Sequence, residues 1–426
     1  MKVIQDNNHS NFYCKMKTYW KILAAAAACM VLATACNNDD EDTGTPGLNG
    51  DITPGTTLTG NITSDATLTE GNTYRLSGGL HVKAGATLRI EPGVEVIAVD
   101  DEIPDYILIE QGAKIDAQGT AAHPIVMTSE LKESGAWGGI HICGYAHTNA
   151  GTGVLSEIGN APYGGDNDAD NSGTLRYIRL EYTGFALDEE HEANGVSFYG
   201  VGNGTTVEYL QAYKGSDDGF EFFGGSVNVR HMVVTSCSDD SFDWTEGWNG
   251  KGQFLVGYQE AESTLGYDCD CLMECDNNGN NAAATPVAHP VLANVTLVGN
   301  NSAAGTRGVR LRAGTEVELY NAIITGKAKC LTTETAETEN SFSKQQNPSV
   351  LEYISMSTEL DSQEGIYTNA DFEAGAGNAT DYVNTLTDGY VGTIQGGKTL
   401  SDSFFTAAAY KGAVSASDDW TAGWTL

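Results

Sequence analysis

Two acidic octets carry the strongest chemical pattern in the sequence. Gly215-Ser-Asp217-Asp218-Gly-Phe220-Glu221-Phe222 recurs 22 residues later as Cys237-Ser-Asp239-Asp240-Ser-Phe242-Asp243-Trp244. Stacked at one strand spacing, the two Asp pairs would bring four carboxylates to one edge, with Glu221 and Asp243 a few residues on. Bare like charges that close repel, so a bound cation, a shared proton or backbone N–H donors in the turns must offset them. Turn hydrogen bonding is the plainest of these, a metal or cationic ligand the next and catalysis the last. If the chain were an enzyme, Asp217, Asp218, Asp239 and Asp240 would be its acid, base or nucleophile, as in most glycosidases. Repetition of the pair argues for architecture, since a site need be built only once.

Phe220, Phe222, Phe223, Trp244 and Trp248 accompany the acids. Phe220 and Phe242 are equivalent by the repeat and are expected to point inward. Phe223 and Trp248 break the pattern and are expected to be exposed; together with Glu221, Asp243 and Trp244 they form the candidate ligand surface. A second acidic run, Asp166-Asn-Asp168-Ala-Asp170-Asn-Ser-Gly173, spaces carboxylates at every second position. Such a turn can wrap oxygen ligands around Ca²⁺, or be a solvated turn with Asx hydrogen bonds; it lacks the distant Glu of an EF-hand.

Six cysteines follow residue 36: Cys143, Cys237, Cys269, Cys271, Cys275 and Cys330. An even count in an exported chain permits disulfides. Cys269-x-Cys271-x-x-x-Cys275 also suits a soft metal, but no His lies near it in sequence. Arg307, Arg310 and Arg312 form the only basic cluster; they would face a ligand carboxylate or, the preferred reading in so acidic a chain, pair with acids across rungs. No Gly-x-Ser-x-Gly elbow and no phosphate loop is present, so nucleophilic catalysis has no support.

The elements that position these residues are short strands. The chain of 426 residues has 51 Gly and 9 Pro, and 19% of its residues are charged, which suits strands joined by tight turns. Strand-like bursts such as Ala-Thr-Leu-Arg-Ile-Glu-Pro-Gly-Val-Glu-Val-Ile-Ala alternate apolar and polar positions between Gly turns. Val207, Leu210 and Ala212 match Val229, Met232 and Val234 at the same 22-residue offset, so the period covers a whole coil of three short strands. The expected fold is all-β, a single-stranded right-handed parallel β-helix over 57–330. Segments 144–173 and 261–290 leave the stack as loops, and 331–426 supply the last coils and a C-terminal cap over the final rung. A sugar-binding module built on Trp420 and Trp424 is the sharper reading of that end.

The stretch from Met16 to Cys36 has a basic start, an apolar run and small residues before a cysteine, which is the pattern of a lipoprotein signal peptide. Residues 1–35 are read as the signal, with translation beginning at Met16, Cys36 as the lipidated residue and 36–56 as a flexible acidic tether. The formal charge of -35, from 22 basic and 57 acidic residues, excludes nucleic acid as a partner.

The run from Gly164 to Tyr182, the paired Asp-Asp-x-Phe repeats and the terminal Trp-Thr-Ala-Gly-Trp-Thr together resemble a widespread set of Bacteroidota right-handed parallel β-helix surface lipoproteins, often named "multidrug transporter". The resemblance implies fold and location, and acidic residues after Cys36 resemble the surface-export signal of that phylum. It adds little about chemistry. The expected role is a non-catalytic binder of a nutrient, a glycan or an outer-membrane partner such as a TonB-dependent transporter. A carbohydrate-active enzyme and an adhesin-like structural protein are the alternatives.

Overall fold

The computed structural model describes residues 48–151, 153–187 and 192–426. The signal peptide, Met16, Cys36 and most of the tether lie outside the described residues. Gly47–Leu426 is one compact unit. Its strands wind into a right-handed parallel β-helix in which successive rungs pair in parallel.

One row of strands runs Gly173–Glu181, Thr206–Tyr213, Asn228–Thr235, Lys251–Tyr258, Val291–Val298, Glu318–Thr325 and Val350–Met356. Each pairs parallel with its successor. The second row includes Val196–Tyr199, Phe220–Phe223, Phe242–Thr245, Met273–Asp276 and Arg307–Arg312. Inward positions superpose: Ile178, Leu210, Met232, Leu255, Val295, Ala322 and Ile354 form one buried column. Burying apolar surface in columns is what a coil cannot do alone.

Each strand of the first row is broken by one residue in the left-handed region, Tyr177, Tyr209, His231, Phe254, Asn294, Asn321 and Tyr353 in turn, with φ between 49 and 61°. That residue bends the strand into two arms, so a coil has three straight segments. A non-glycine residue there costs about 1–2 kcal/mol, and stacking helps to offset it. The rings of Tyr177, Tyr209, His231 and Phe254 lie 4.4, 4.2 and 4.9 Å apart in succession, nearly parallel.

The structure departs from the expected boundaries in three places. Gly50–Ile52, placed in the tether by sequence, pairs with Ala66–Leu68 because Ile52 buries its side chain in the core. Segment 261–290 contains the short helix Glu262–Leu265 and a full rung strand, Met273–Asp276. Closure of the C-terminal end falls to Phe372, fully buried, and to the stacked Phe342–Tyr367 pair packed on the same core. The chain beyond residue 380 is a strap that runs back along the flank of the first strand row.

Bend-residue and neighbouring side chains bind the strap backbone. Asn321 Nδ2 donates to Lys398 O (2.8 Å), Asn294 Nδ2 to Tyr410 O (2.7 Å) and Gln253 Nε2 to Thr406 O (2.8 Å). Gln211 exchanges two hydrogen bonds with Leu426. Trp420 and Trp424 are therefore part of the strap and not a separate sugar-binding module: Trp424 is buried edge-on against Tyr177 and Tyr209, and the half-buried Trp420 lies edge-on against His231.

Trp424→Ala is expected to cost about 3–5 kcal/mol in denaturant unfolding, because its indole covers the bend ladder. A loss below about 0.5 kcal/mol, the size of an ordinary surface change, would show the strap to be outside the cooperative fold.

Candidate metal-binding cleft

The 22-residue coil superposes three outward positions on successive rungs. The first rung supplies Asp217, Asp218 and Glu221; the second supplies Asp239, Asp240 and Asp243. Glu221 pairs in register with Asp243, and Asp243 with Glu274, so a third rung follows with Asp270, Cys271 and Glu274. Asp240 N donates to Asp218 Oδ1 (2.9 Å) and Cys271 N to Asp240 Oδ1 (2.6 Å), which fixes the middle column. Eight carboxylates and one thiol thus form a grid with a repeat of about 4.8 Å along the solenoid.

The eight carboxylates line a cleft of about 310 Å³ together with Glu157, Glu192 and Arg310. Glu157 belongs to the long insertion after Ile140–Cys143, which returns to the stack here. Ligand atoms of Glu192, Asp217 and Asp239 lie within 4.8 Å of one another. The same holds for Asp218, Glu221 and Asp243; for Asp218, Asp239 and Asp240; for Asp240, Asp243 and Glu274; and for Asp240, Asp270 and Cys271. These overlapping triads suit several cations along one line.

Turn hydrogen bonding explains part of the pattern. Asp218 and Asp240 each give one oxygen to the next rung's N–H, but Asn194 does the same one rung earlier, accepting from Asp218 N (3.2 Å). A neutral amide serves the architecture, so the negative charge is additional to it. The positions before the grid are Ala193, Asn194 and Ser197, and those after it Thr306, Arg307 and Arg310. Acid is confined to three rungs.

Among the described residues no Lys or Arg forms an ion pair with any of the six acids on the first two rungs, and no hydrogen-bond donor reaches the Asp243 carboxylate. Arg310 pairs with Glu274 (2.7 Å) and Glu334 (3.1 Å), and Arg312 with Glu274 (2.6 Å) and Asp276 (2.7 Å). Arg307 pairs with Glu334 (3.1 Å). The basic cluster is thus held by acids across rungs, as preferred from sequence, and closes the cleft.

Burial, reinforced by neighbouring carboxylates, pushes Asp218, Glu221, Asp240 and Asp243 well above the carboxylate range. Asp217 rises to about 8, from burial and then the charges of Glu192 and Asp239; Asp239 rises to about 6, from burial and then Asp270.

The aromatic expectation is corrected. Phe223 packs on Tyr199 (4.4 Å) under Ala161 and Tyr163, and Trp248 stacks on Phe222 (4.2 Å). With Trp244 they are buried, so none lines the cleft; Phe220 and Phe242 do stack inward. The disulfide expectation is corrected too: Cys143, Cys237, Cys269, Cys271, Cys275 and Cys330 are all free and buried. Cys237, Cys275 and Cys330 pack in the core as small apolar side chains.

Asp166, Asp168 and Asp170 are not brought together. Asp168 Oδ1 engages His147 Nδ1 (2.6 Å), Asp170 Oδ2 accepts from Tyr145 N (3.2 Å), and Asp166 is exposed. Sequence reasoning missed Glu274, Asp270, Glu157 and Glu192. Asp270-Cys271-Leu-Met-Glu274 does repeat Asp239-Asp240-Ser-Phe-Asp243, but at an offset of 31 residues, because residues inserted after Tyr258 lengthen that coil.

With metals chelated, the folded protein binds more protons than the unfolded chain between the ordinary value of 3.8 and the raised values of about 6 and about 8. Stability therefore falls as pH rises across that window. Thermal unfolding in chelator is expected to give a Tm that drops from about pH 5 to about pH 8.5, and an Asp217→Asn/Asp239→Asn variant a flatter profile. An unchanged slope in the double variant would place the pH dependence elsewhere.

A family model described as a pectate-lyase-like β-helix domain matches residues 60–425. No curated protein and no solved structure matches the chain. The family match takes in nearly every coil, the acidic cleft and the strap, and the chain belongs to the pectate-lyase-like β-helix domain family.

Proposed function

We propose that the protein is a non-catalytic binding protein whose cleft holds divalent cations, calcium among them, and through them a carbohydrate ligand. One observation carries the reading: acid is concentrated on three rungs where a neutral amide also serves the fold, and among the described residues no ion pair and no hydrogen-bond donor reaches Asp243. Calcium takes six to eight oxygen ligands, so a triad of carboxylates leaves positions for sugar hydroxyl or carboxylate oxygens. The family match supports a carbohydrate-related role. With Phe223, Trp244 and Trp248 buried, recognition relies on coordination and not on ring stacking.

The same proposal places the protein on the cell surface. The signal pattern ending at Cys36 and the acidic Asn37-Asn-Asp-Asp-Glu-Asp42 run support a lipid anchor in the outer membrane, facing the medium. Similarity to the Bacteroidota surface lipoproteins supports it too, and a TonB-dependent transporter or a surface glycan would be the partner.

A second reading is favoured by one feature. Asp217 at about 8 and Asp239 at about 6 would leave one carboxyl protonated and its neighbour half ionised or more at neutral pH, the division of labour of a glycosidase. The two readings separate on the calcium response and on turnover. A cation-dependent binder predicts that millimolar calcium raises the Tm of the wild type relative to chelator, that Asp240→Asn loses at least half of that rise, and that neither protein cleaves oligosaccharides. An enzyme predicts turnover by the wild type that Asp217→Asn or Asp239→Asn abolishes with the fold intact. No calcium-dependent rise in the wild type would overturn the proposal.

A further inference from the structure

A second cavity lies between the strap and the first strand row, and it shares no lining residue with the acidic cleft. It holds about 380 Å³, within the range of about 300–1,000 Å³ usual for small-molecule pockets. We propose that it binds a neutral hexose, free or as the end unit of a neutral oligosaccharide. The proposal needs neither the cleft nor a bound cation.

The cavity is framed by fixed groups. Asn321 donates to Lys398 O (2.8 Å) and accepts from Lys398 N (2.7 Å), and Gln253 donates to Thr406 O and accepts from Thr406 N, both at 2.8 Å. The segment 399–405 between these two clamps forms one wall, and Lys251, Val291, Glu318 and Tyr320 of the rungs form the other. Tyr320 and Phe405 are buried in one apolar cluster with Ala293, and Val291 and Leu400 pack against it. Polar groups surround this apolar patch. Lys251 pairs with Asp402, Lys398 Nζ donates to Glu352 (2.7 Å) and lies 4.1 Å over the Tyr320 ring, and Glu318 accepts from Tyr320 OH (2.7 Å).

Charge selects the class of ligand. An ammonium carries three donors and a carboxylate about four lone-pair sites, so Lys251, Lys398, Glu318 and Asp402 keep capacity beyond these bonds, and their side chains are 32–45% exposed. An anion would meet Glu318 and Asp402, and a cation would meet two ammonium groups. A neutral polyol uses both signs: its hydroxyls donate to the carboxylates and accept from the ammonium groups, while the C–H face of the ring lies on Phe405 and Leu400. The acidic cleft, lined by charged side chains alone, has no such wall.

Saturation-transfer NMR of the protein in EDTA, with glucose, galactose and mannose as probes, tests this. At least one hexose is expected to receive saturation on its ring C–H protons without any metal. Thr399→Trp, at an exposed position of the pocket wall, fills the space and is expected to abolish the signal while keeping the Tm and its calcium response. Asp402→Asn, also exposed, is expected to weaken binding about tenfold, the loss of one hydrogen bond to a charged group, which keeps the test open should Thr399→Trp fold poorly. No saturation of any of the three in EDTA, a signal that survives Thr399→Trp, or an affinity unchanged in Asp402→Asn would overturn the proposal. A signal that needs calcium would belong to the cleft, overturning this site and leaving the cation reading in place; a signal in EDTA without a calcium-dependent rise in Tm would do the reverse.

Discussion

Parallel stacking in register is the constraint from which the rest follows. Successive coils lie one strand spacing apart, so whatever occupies a position on one rung is set directly above its equivalent on the next. For apolar residues the result is the buried column through Leu210 and Met232. For the left-handed bend residues it is the ladder of Tyr177, Tyr209, His231 and Phe254, whose rings stack at the rung interval and carry the strap. For acids the same superposition is unfavourable.

Two bare carboxylates one strand spacing apart repel by about 3–4 kcal/mol at an effective dielectric of about 20. A hydrogen bond to a charged group returns about 1.5–3 kcal/mol, so the turn N–H donors on Asp218 and Asp240 cannot offset two acidic neighbours each. Asp243, between Glu221 and Glu274, lacks even that. Burial first, and this repulsion after it, push these carboxyls above the ordinary carboxylate range, so protons fill the deficit in the metal-free protein. A divalent cation would fill it with more charge and with the ligand count that oxygen triads offer.

The 22-residue coil was legible in the sequence because the two acidic octets and the strands before them share one offset. The same repeat led to the argument that paired acids belong to architecture. Asp218 and Asp240 do accept the next rung's N–H, as that argument requires, while Asn194 fills the same role with a neutral amide, visible only when its side chain is seen accepting the Asp218 N–H. The third rung was hidden because the insertion after Tyr258 pushed Asp270 and Glu274 out of phase, although their local pattern is preserved. Alternation along a strand could not place Trp248, which lies in the turn after Phe242–Thr245 and folds back onto Phe222. Nor could it place Phe223, an outward position roofed by a distant insertion through Ala161 and Tyr163. Cysteine parity carried no information about pairing, because all six thiols are free and buried. The strap was unreadable for a similar reason, since its partners are backbone carbonyls met by single side chains of distant rungs.

The central claim is that the three-rung grid is a line of cation sites. Diffraction from crystals of the protein soaked in manganese(II), recorded for its anomalous signal, tests it most directly. The account predicts anomalous peaks inside the cleft, at least one of them shared by Asp218, Glu221 and Asp243. A cleft without such peaks, in crystals whose manganese binds elsewhere or not at all, would contradict it.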